Sequence, residues 1–163
     1  MKIRIDDLAK IQETLDARIF KLHNTSREET RQDRVLALLV EAGELANETR
    51  CFKYWSLQKP SEDAVIFEEF SDIVHFVLSL GIDIEFDEKE VAYETSSLSL
   101  NDQFHRLFSA INVFSISNTK EDYKELLKVV FDLSFALGMK GEDIREMYLY
   151  KNEKNHQRQD DNY

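Results

Sequence analysis

The sequence predicts an all-α domain, a helical bundle of five or six helices with a four-helix core. Three observations carry that reading. Apolar residues recur at helical spacing along most of the chain. Its 163 residues include only four Gly and one Pro, where average usage would give roughly twenty of the two together. β-Sandwiches, barrels and glycine-cradled nucleotide folds need more turn-formers than that. Hydrophobic residues make up 42% and aromatics 11%, which suits one buried core, so residues 1–163 read as a single domain.

Leu8, Ile11, Leu15, Ile19 and Leu22 form one apolar stripe, which predicts a first helix over residues 6–22. The polar link His23 to Arg31 offers two capping-box pairs, Thr25 with Glu28 and Ser26 with Glu29, ahead of a second helix expected to reach about Phe52. Pro60 makes the clearest break, because proline disfavours helix at the residue before it. Ser61 is then expected to cap a third helix, with Glu62 and Asp63 in the first turn and Gly81 placed to end it. From Asp83 to Glu94 the chain is acidic and aperiodic, and with Ser96, Ser97 and Ser99 it reads as a mobile loop. Asn101 or Asp102 would cap a fourth helix that buries Phe104, Leu107, Phe108, Ile111 and Phe114. Thr119 would cap a fifth, burying Leu126, Leu127, Val130, Phe131 and Leu137, with a stop at Gly138 and a sixth helix from near Gly141. Residues 151–163 lack an apolar stripe and are expected to leave the core as a mobile tail.

Lys plus Arg number 21 against 32 Asp plus Glu, a net charge of -11. That sign opposes nucleic-acid binding through phosphate neutralisation, so no nucleic-acid partner is expected. An acidic protein that takes a triphosphate needs divalent cations between its carboxylates and the phosphates. The single cysteine, Cys51, cannot form an intrachain disulfide, and the first residues lack the apolar run of a signal peptide, so a reducing, cytoplasmic setting is expected. The longest apolar run, around Ile73 to Ile82, spans half of the roughly 20 residues a membrane helix needs.

The chemistry concentrates in two helices. The second carries Glu41 and Glu44 inside Val35-Leu36-Ala37-Leu38-Leu39-Val40-Glu41-Ala42-Gly43-Glu44-Leu45-Ala46, and the third carries Glu69 and Asp72 inside Phe67-Glu68-Glu69-Phe70-Ser71-Asp72-Ile73. Residues three apart share a helical face, so two such helices packed together would gather four carboxylates. ExxE and ExxD also occur on solvated faces. Here each is flanked by bulky apolar residues, and ionised groups in that setting are costly unless a cation meets them. All-oxygen ligands suit Mg²⁺ or Mn²⁺, whereas a carboxylate-bridged di-iron centre would want Glu-x-x-His on each of two helices. Glu48, one turn beyond Glu44, fits either a supporting or a solvated position. His75 reads first as a hydrogen-bonded core residue, and Cys51 as structural.

The quartet Glu41-Ala42-Gly43-Glu44 and Glu69-Phe70-Ser71-Asp72 resembles the ExxE…ExxD signature of the all-α nucleoside triphosphate pyrophosphatase superfamily, the MazG-like proteins. The stretch Leu45 to Trp55, the segment Asp72-Ile73-Val74-His75-Phe76 and the tail Tyr150 to Tyr163 resemble the dimeric dUTP diphosphatases more narrowly. That resemblance implies Mg²⁺, with Mn²⁺ as a substitute, held by Glu41, Glu44, Glu69 and Asp72, with Glu44 as general base assisted by Glu41. It implies hydrolysis of dUTP to dUMP and pyrophosphate by a metal-activated water. It places Lys53, Lys151 and Arg158 among substrate-binding residues, Asn155 and Tyr163 near the sugar or phosphates, and Gln12 and Trp55 at the base. Asp16 stands where parts of the family would have Asn, which leaves uracil and cytosine both open. A homodimer is implied, with residues 151–163 closing over the substrate. The alternatives are a related pyrophosphatase for dCTP or damaged nucleotides, and a non-catalytic helical interaction protein.

Overall fold

The computed structural model describes residues 1–161, so the role expected of Tyr163 lies outside the described residues. Six helices and two short strands follow one another: β1 (Lys2–Arg4), α1 (Asp6–Leu22), α2 (Arg31–Thr49), α3 (Asp63–Asp83), β2 (Glu90–Ala92), α4 (Leu100–Ser117), α5 (Lys120–Ala136) and α6 (Gly141–Asp160). α3 is the central helix, packed against α1, α2, α5 and α6, while α4 joins α2 to α5. The all-α bundle expected from periodicity is the architecture observed, with α1, α2, α3 and α6 grouped around one cavity.

α1 has the bounds its apolar stripe predicts, but the buried face also holds Gln12 and Asp16, one and two turns beyond Leu8. α2 stops three residues short of Phe52, because Arg50 turns left-handed at φ 57° and ends the helix. Ser26 caps only the turn before α2, its hydroxyl accepting from the Glu29 N–H at 3.2 Å, and Thr30 at the head of α2 makes no side-chain cap bond. Ser61 does not cap α3; its hydroxyl goes to Glu48, and Glu62 holds the cap position.

Gly81 does not end α3. The helix continues to Asp83, and a side chain at 81 would overlap the Tyr123 hydroxyl, which donates to the Val77 carbonyl at 2.9 Å. The glycine is there for close approach, since the absent Cβ lets a buried tyrosine lie across the helix. Ser99 rather than Asn101 or Asp102 caps α4, accepting from the Asp102 N–H at 3.1 Å, while Thr119 caps α5 as expected at 3.3 Å from the Asp122 N–H. Gly138, at φ 77°, follows the end of α5.

The acidic stretch after α3 is not all loop. β2 pairs antiparallel with β1, with Ile3 opposite Val91 and both buried. Asp132 holds the strand's exit by accepting from the Glu94 N–H at 2.8 Å. α6 carries residues 151–160 as its last turns, with Lys151 and Asn152 buried, so the chain does not leave the core at 151. No helix among the described residues is long and apolar enough to cross a membrane.

Candidate active site and metal centre

A cavity of about 700 Å³ opens between α1, α2, α3 and α6, and it has two chemically different ends. Glu41 and Glu44 reach the first end from one face of α2, and Glu68, Glu69 and Asp72 reach it from α3. One carboxylate oxygen from each of Glu41, Glu69 and Asp72 lies within 4.8 Å of the others. Glu44 lines the same cavity but stands outside that converging trio.

The trio is partly buried and short of positive charge. Burial, then the charges of Asp72, Glu44 and Glu69, pushes the Glu41 carboxyl up to about 7. Burial also raises Glu69 and Asp72. Lys151 comes from α6 and sets its ammonium 2.7 Å from Asp72 and 2.8 Å from Glu68. Burial would lower the Lys151 pKa, but its hydrogen bonds to the two carboxylates raise it overall. Glu68, bonded by both Lys151 and Lys154, is held down at about 2. Arg158 and Asn155 also line the cavity, joined by a 3.3 Å hydrogen bond.

The donor set fits a hard divalent cation: oxygen ligands only, partly desolvated, with carboxyl groups that resist ionising until a cation arrives. His75 takes no part in it. Burial pushes its imidazole down to about 3, so it is neutral at pH 7, and its ring stacks on Tyr148 at 4.1 Å.

The second end is lined by Gln12, Asp16, Phe20, His75, Phe76 and Ser79. Gln12 Nε2 donates to Asp16 Oδ1 at 2.8 Å, while Gln12 Oε1 lies 2.7 Å from His75 Nδ1 and 2.9 Å from the Tyr148 hydroxyl. Asp16 Oδ2 accepts from Ser79 Oγ at 2.6 Å and from Arg27 at 2.8 Å. Arg27 and Arg34 both continue to Asp83, at 3.0 and 2.9 Å. The guanidiniums lie 5.2 and 5.7 Å from the centre of the Phe20 ring.

Of the residues expected at the site, Gln12, Asp16, Glu41, Glu44, Glu69, Asp72, Lys151, Asn155 and Arg158 line one cavity. Lys53 and Trp55 do not. They sit in the link between α2 and α3, where Trp55 is 64% exposed and packs edge-on against Phe52 and Tyr54. Sequence reasoning missed Glu68, which shared a helix turn with Glu69, and Tyr148, Arg27, Arg34 and Asp83, whose partners are distant in the chain. A family model described as dUTPase matches residues 4–163. No curated protein matches the chain.

Proposed function

The chain belongs to the dUTPase family and hydrolyses dUTP, and on that premise we propose that it does so with Mg²⁺, or Mn²⁺ in its place, held by Glu41, Glu44, Glu69 and Asp72. The observation that carries this reading is the convergence of three partly buried carboxylates within 4.8 Å, at one end of a cavity large enough for a nucleotide. Bound there, Mg²⁺ would supply charge against the phosphates and lower the pKa of a water.

The protein's own groups account for the rest. Glu44 lines the cavity beside the trio, which suits it to complete the metal's oxygen set with one carboxylate oxygen and take the proton of the attacking water with the other, with Glu41 assisting. The water oxygen bonds to phosphorus, the phosphoanhydride P–O bond breaks, and dUMP and pyrophosphate leave. Lys151 and Arg158 reach the cavity from α6 and would neutralise phosphate oxygens, with Asn155 toward the sugar or phosphates. Gln12 and Asp16 lie where the base would enter. Lys53 and Trp55 would need the α2–α3 link to move, or a second copy to bring it.

A homodimer remains part of the proposal, favoured by exposed apolar residues such as Leu36, Val40, Val113 and Ile116 on α2 and α4, and sedimentation giving 19.2 kDa would refute it. Closure of the end of α6 over substrate, and a cytoplasmic setting, are proposed on the same footing. Calorimetry with Mg²⁺ and a non-hydrolysable dUTP analogue tests the metal reading. Nucleotide binding should strengthen with Mg²⁺; affinity that ignores Mg²⁺ and EDTA alike would overturn it. Turnover of dUTP, dCTP and purine triphosphates side by side separates a dUTPase from a broader pyrophosphatase.

A further inference from the structure

We propose that Asp16 is a specificity-determining positioning residue: it fixes the Gln12 amide so that nitrogen, not oxygen, is offered to the base, and the pocket thereby favours uracil over cytosine. Resting on the dUTP reading above, this extends it from a substrate to the groups that choose the base.

A glutamine amide has two ends of similar shape and opposite polarity, and a pocket that leaves it free to turn can read either a donor or an acceptor. Asp16 removes that freedom. It lies one turn beyond Gln12 on α1, and its carboxylate only accepts, so Oδ1 draws Nε2 to 2.8 Å. Turning the amide over would press Oε1 against an anion. The carboxylate is itself clamped, because Ser79 Oγ at 2.6 Å and Arg27 at 2.8 Å both donate to Oδ2. Arg27 reaches on to Asp83, so the anchor is tied to α3 as well as to its own helix.

The other end of the amide is closed by donors. The Tyr148 hydroxyl donates to Oε1 at 2.9 Å, its nearer acceptor, with the Leu8 carbonyl at 3.2 Å, and His75 Nδ1 lies 2.7 Å from Oε1. An amide oxygen cannot donate, so the proton between them belongs to Nδ1, and His75 is the tautomer with a bare Nε2. Both lone pairs of Oε1 are then engaged. One Nε2 hydrogen of Gln12 has no partner among the described residues, and Gln12 lines the cavity. A base is met by a donor alone. Uracil carries a carbonyl at position 4 to accept it, while cytosine carries an amino group there and sets donor against donor. An Asn at 16 would lack this effect, since Ser79 and Arg27 would keep its oxygen and leave its NH2 facing Gln12, where a donor no longer holds Nε2.

The test compares kcat/KM for dUTP and dCTP in the wild type and in Asp16→Asn. The ratio should fall by about tenfold or more, chiefly through a higher KM for dUTP, with kcat changed less because the carboxylate cluster is untouched. A role limited to stability would lower Tm and both nucleotides in parallel, and an unchanged ratio in the folded variant overturns the proposal. Nitrogen-15 NMR of the His75 ring supplies a readout that needs neither variant nor substrate. The wild type should show the proton on Nδ1 at neutral pH, and a proton on Nε2 overturns the relay while dUTP hydrolysis stands. The expected tautomer in an enzyme that turns over purine and pyrimidine triphosphates alike overturns the specificity step together with the dUTP reading.

Discussion

The two ends of the cavity bury carboxylates in opposite ways. At the arginine end, Asp16 and Asp83 face Arg27 and Arg34 through ion pairs of 2.8 to 3.0 Å. At the other end, Glu41, Glu44, Glu69 and Asp72 share the cavity with Glu68, and the nearest ammonium, that of Lys151, is divided between Asp72 and Glu68. Two anions meet two guanidiniums in the first case, and the fold completes the charge balance itself. In the second case the balance is left open, and the raised carboxyl groups of Glu41, Glu69 and Asp72 record it. A carboxylate matched by a guanidinium holds structure in place; a cluster with more carboxylates than ammonium groups is a place for a cation.

The largest effect should come from the open end. Glu41→Gln, Glu44→Gln, Glu69→Gln and Asp72→Asn are each expected to lower dUTP hydrolysis by orders of magnitude, read as pyrophosphate release with Mg²⁺. For Glu41→Gln, Glu44→Gln and Glu69→Gln the metal-free Tm should be no lower than that of the wild type, because each removes repulsion, whereas Asp72→Asn also takes the 2.7 Å partner of the buried Lys151 ammonium and should lower it. At the closed end the signs reverse. Asp83→Asn strips a carboxylate from the buried Arg34 guanidinium and from the partly buried one of Arg27 and should cost about 3 kcal/mol in urea unfolding, while turnover per folded molecule falls far less. A Glu41, Glu44 or Glu69 variant that unfolds as readily as Asp83→Asn would erase the distinction.

pH gives a smaller, graded contrast. Glu41 titrates at about 7 in the folded protein against an ordinary 4.5, so the native state holds its proton more tightly than the unfolded chain does. A raised carboxyl favours folding while protonated, and the penalty accrues as pH climbs between those two values, with Glu69 and Asp72 acting in the same direction. Glu68, held at about 2, acts only below that window. His75, pushed down to about 3, acts in the opposite sense up to its ordinary 6.5, so the carboxylate share is the loss of stability between pH 4.5 and 7 that appears in metal-free protein and that Mg²⁺ should remove. A slope unaffected by Mg²⁺ would argue that the carboxylates face water alone.

Most of the open end was legible in the sequence, and little of the closed end was. Glu41 with Glu44, and Glu69 with Asp72, declare themselves by a local rule, since a three-residue spacing fixes a shared face whatever else the chain does. Arg27 lies in the polar link before α2 and Asp83 at the edge of an acidic run, where each reads as solvated; only the packing of α1 on α3 turns them inward. β1 and β2 were invisible for the same reason, being three residues long with partners such as Ile3 and Val91 far apart in the chain. α6 misled through its composition. Its last turns carry no apolar stripe, yet Lys151 is buried, drawn in by Asp72 and Glu68.

The smallest effect belongs to Lys154, and it bears most directly on whether the acid end is open. Its ammonium lies 2.6 Å from Glu68, a contact as short as any in the closed network. Distance alone would rank it with the Arg27 and Arg34 pairs. Exposure ranks it otherwise: the Lys154 side chain is 37% exposed and Glu68 29%, against 8% and 9% for Arg34 and Asp83. Water competes for a pair so placed, and Glu68 keeps Lys151 when Lys154 is gone. Lys154→Ala should therefore cost less than about 1 kcal/mol in urea unfolding, a cost that fades in high salt. A loss of about 3 kcal/mol, as expected for breaking a buried pair, would mean that α6 already closes the acid end with its own ammonium groups. The cluster would then be as finished as the arginine end, and the case for a divalent cation between α2 and α3 would lose its electrostatic basis.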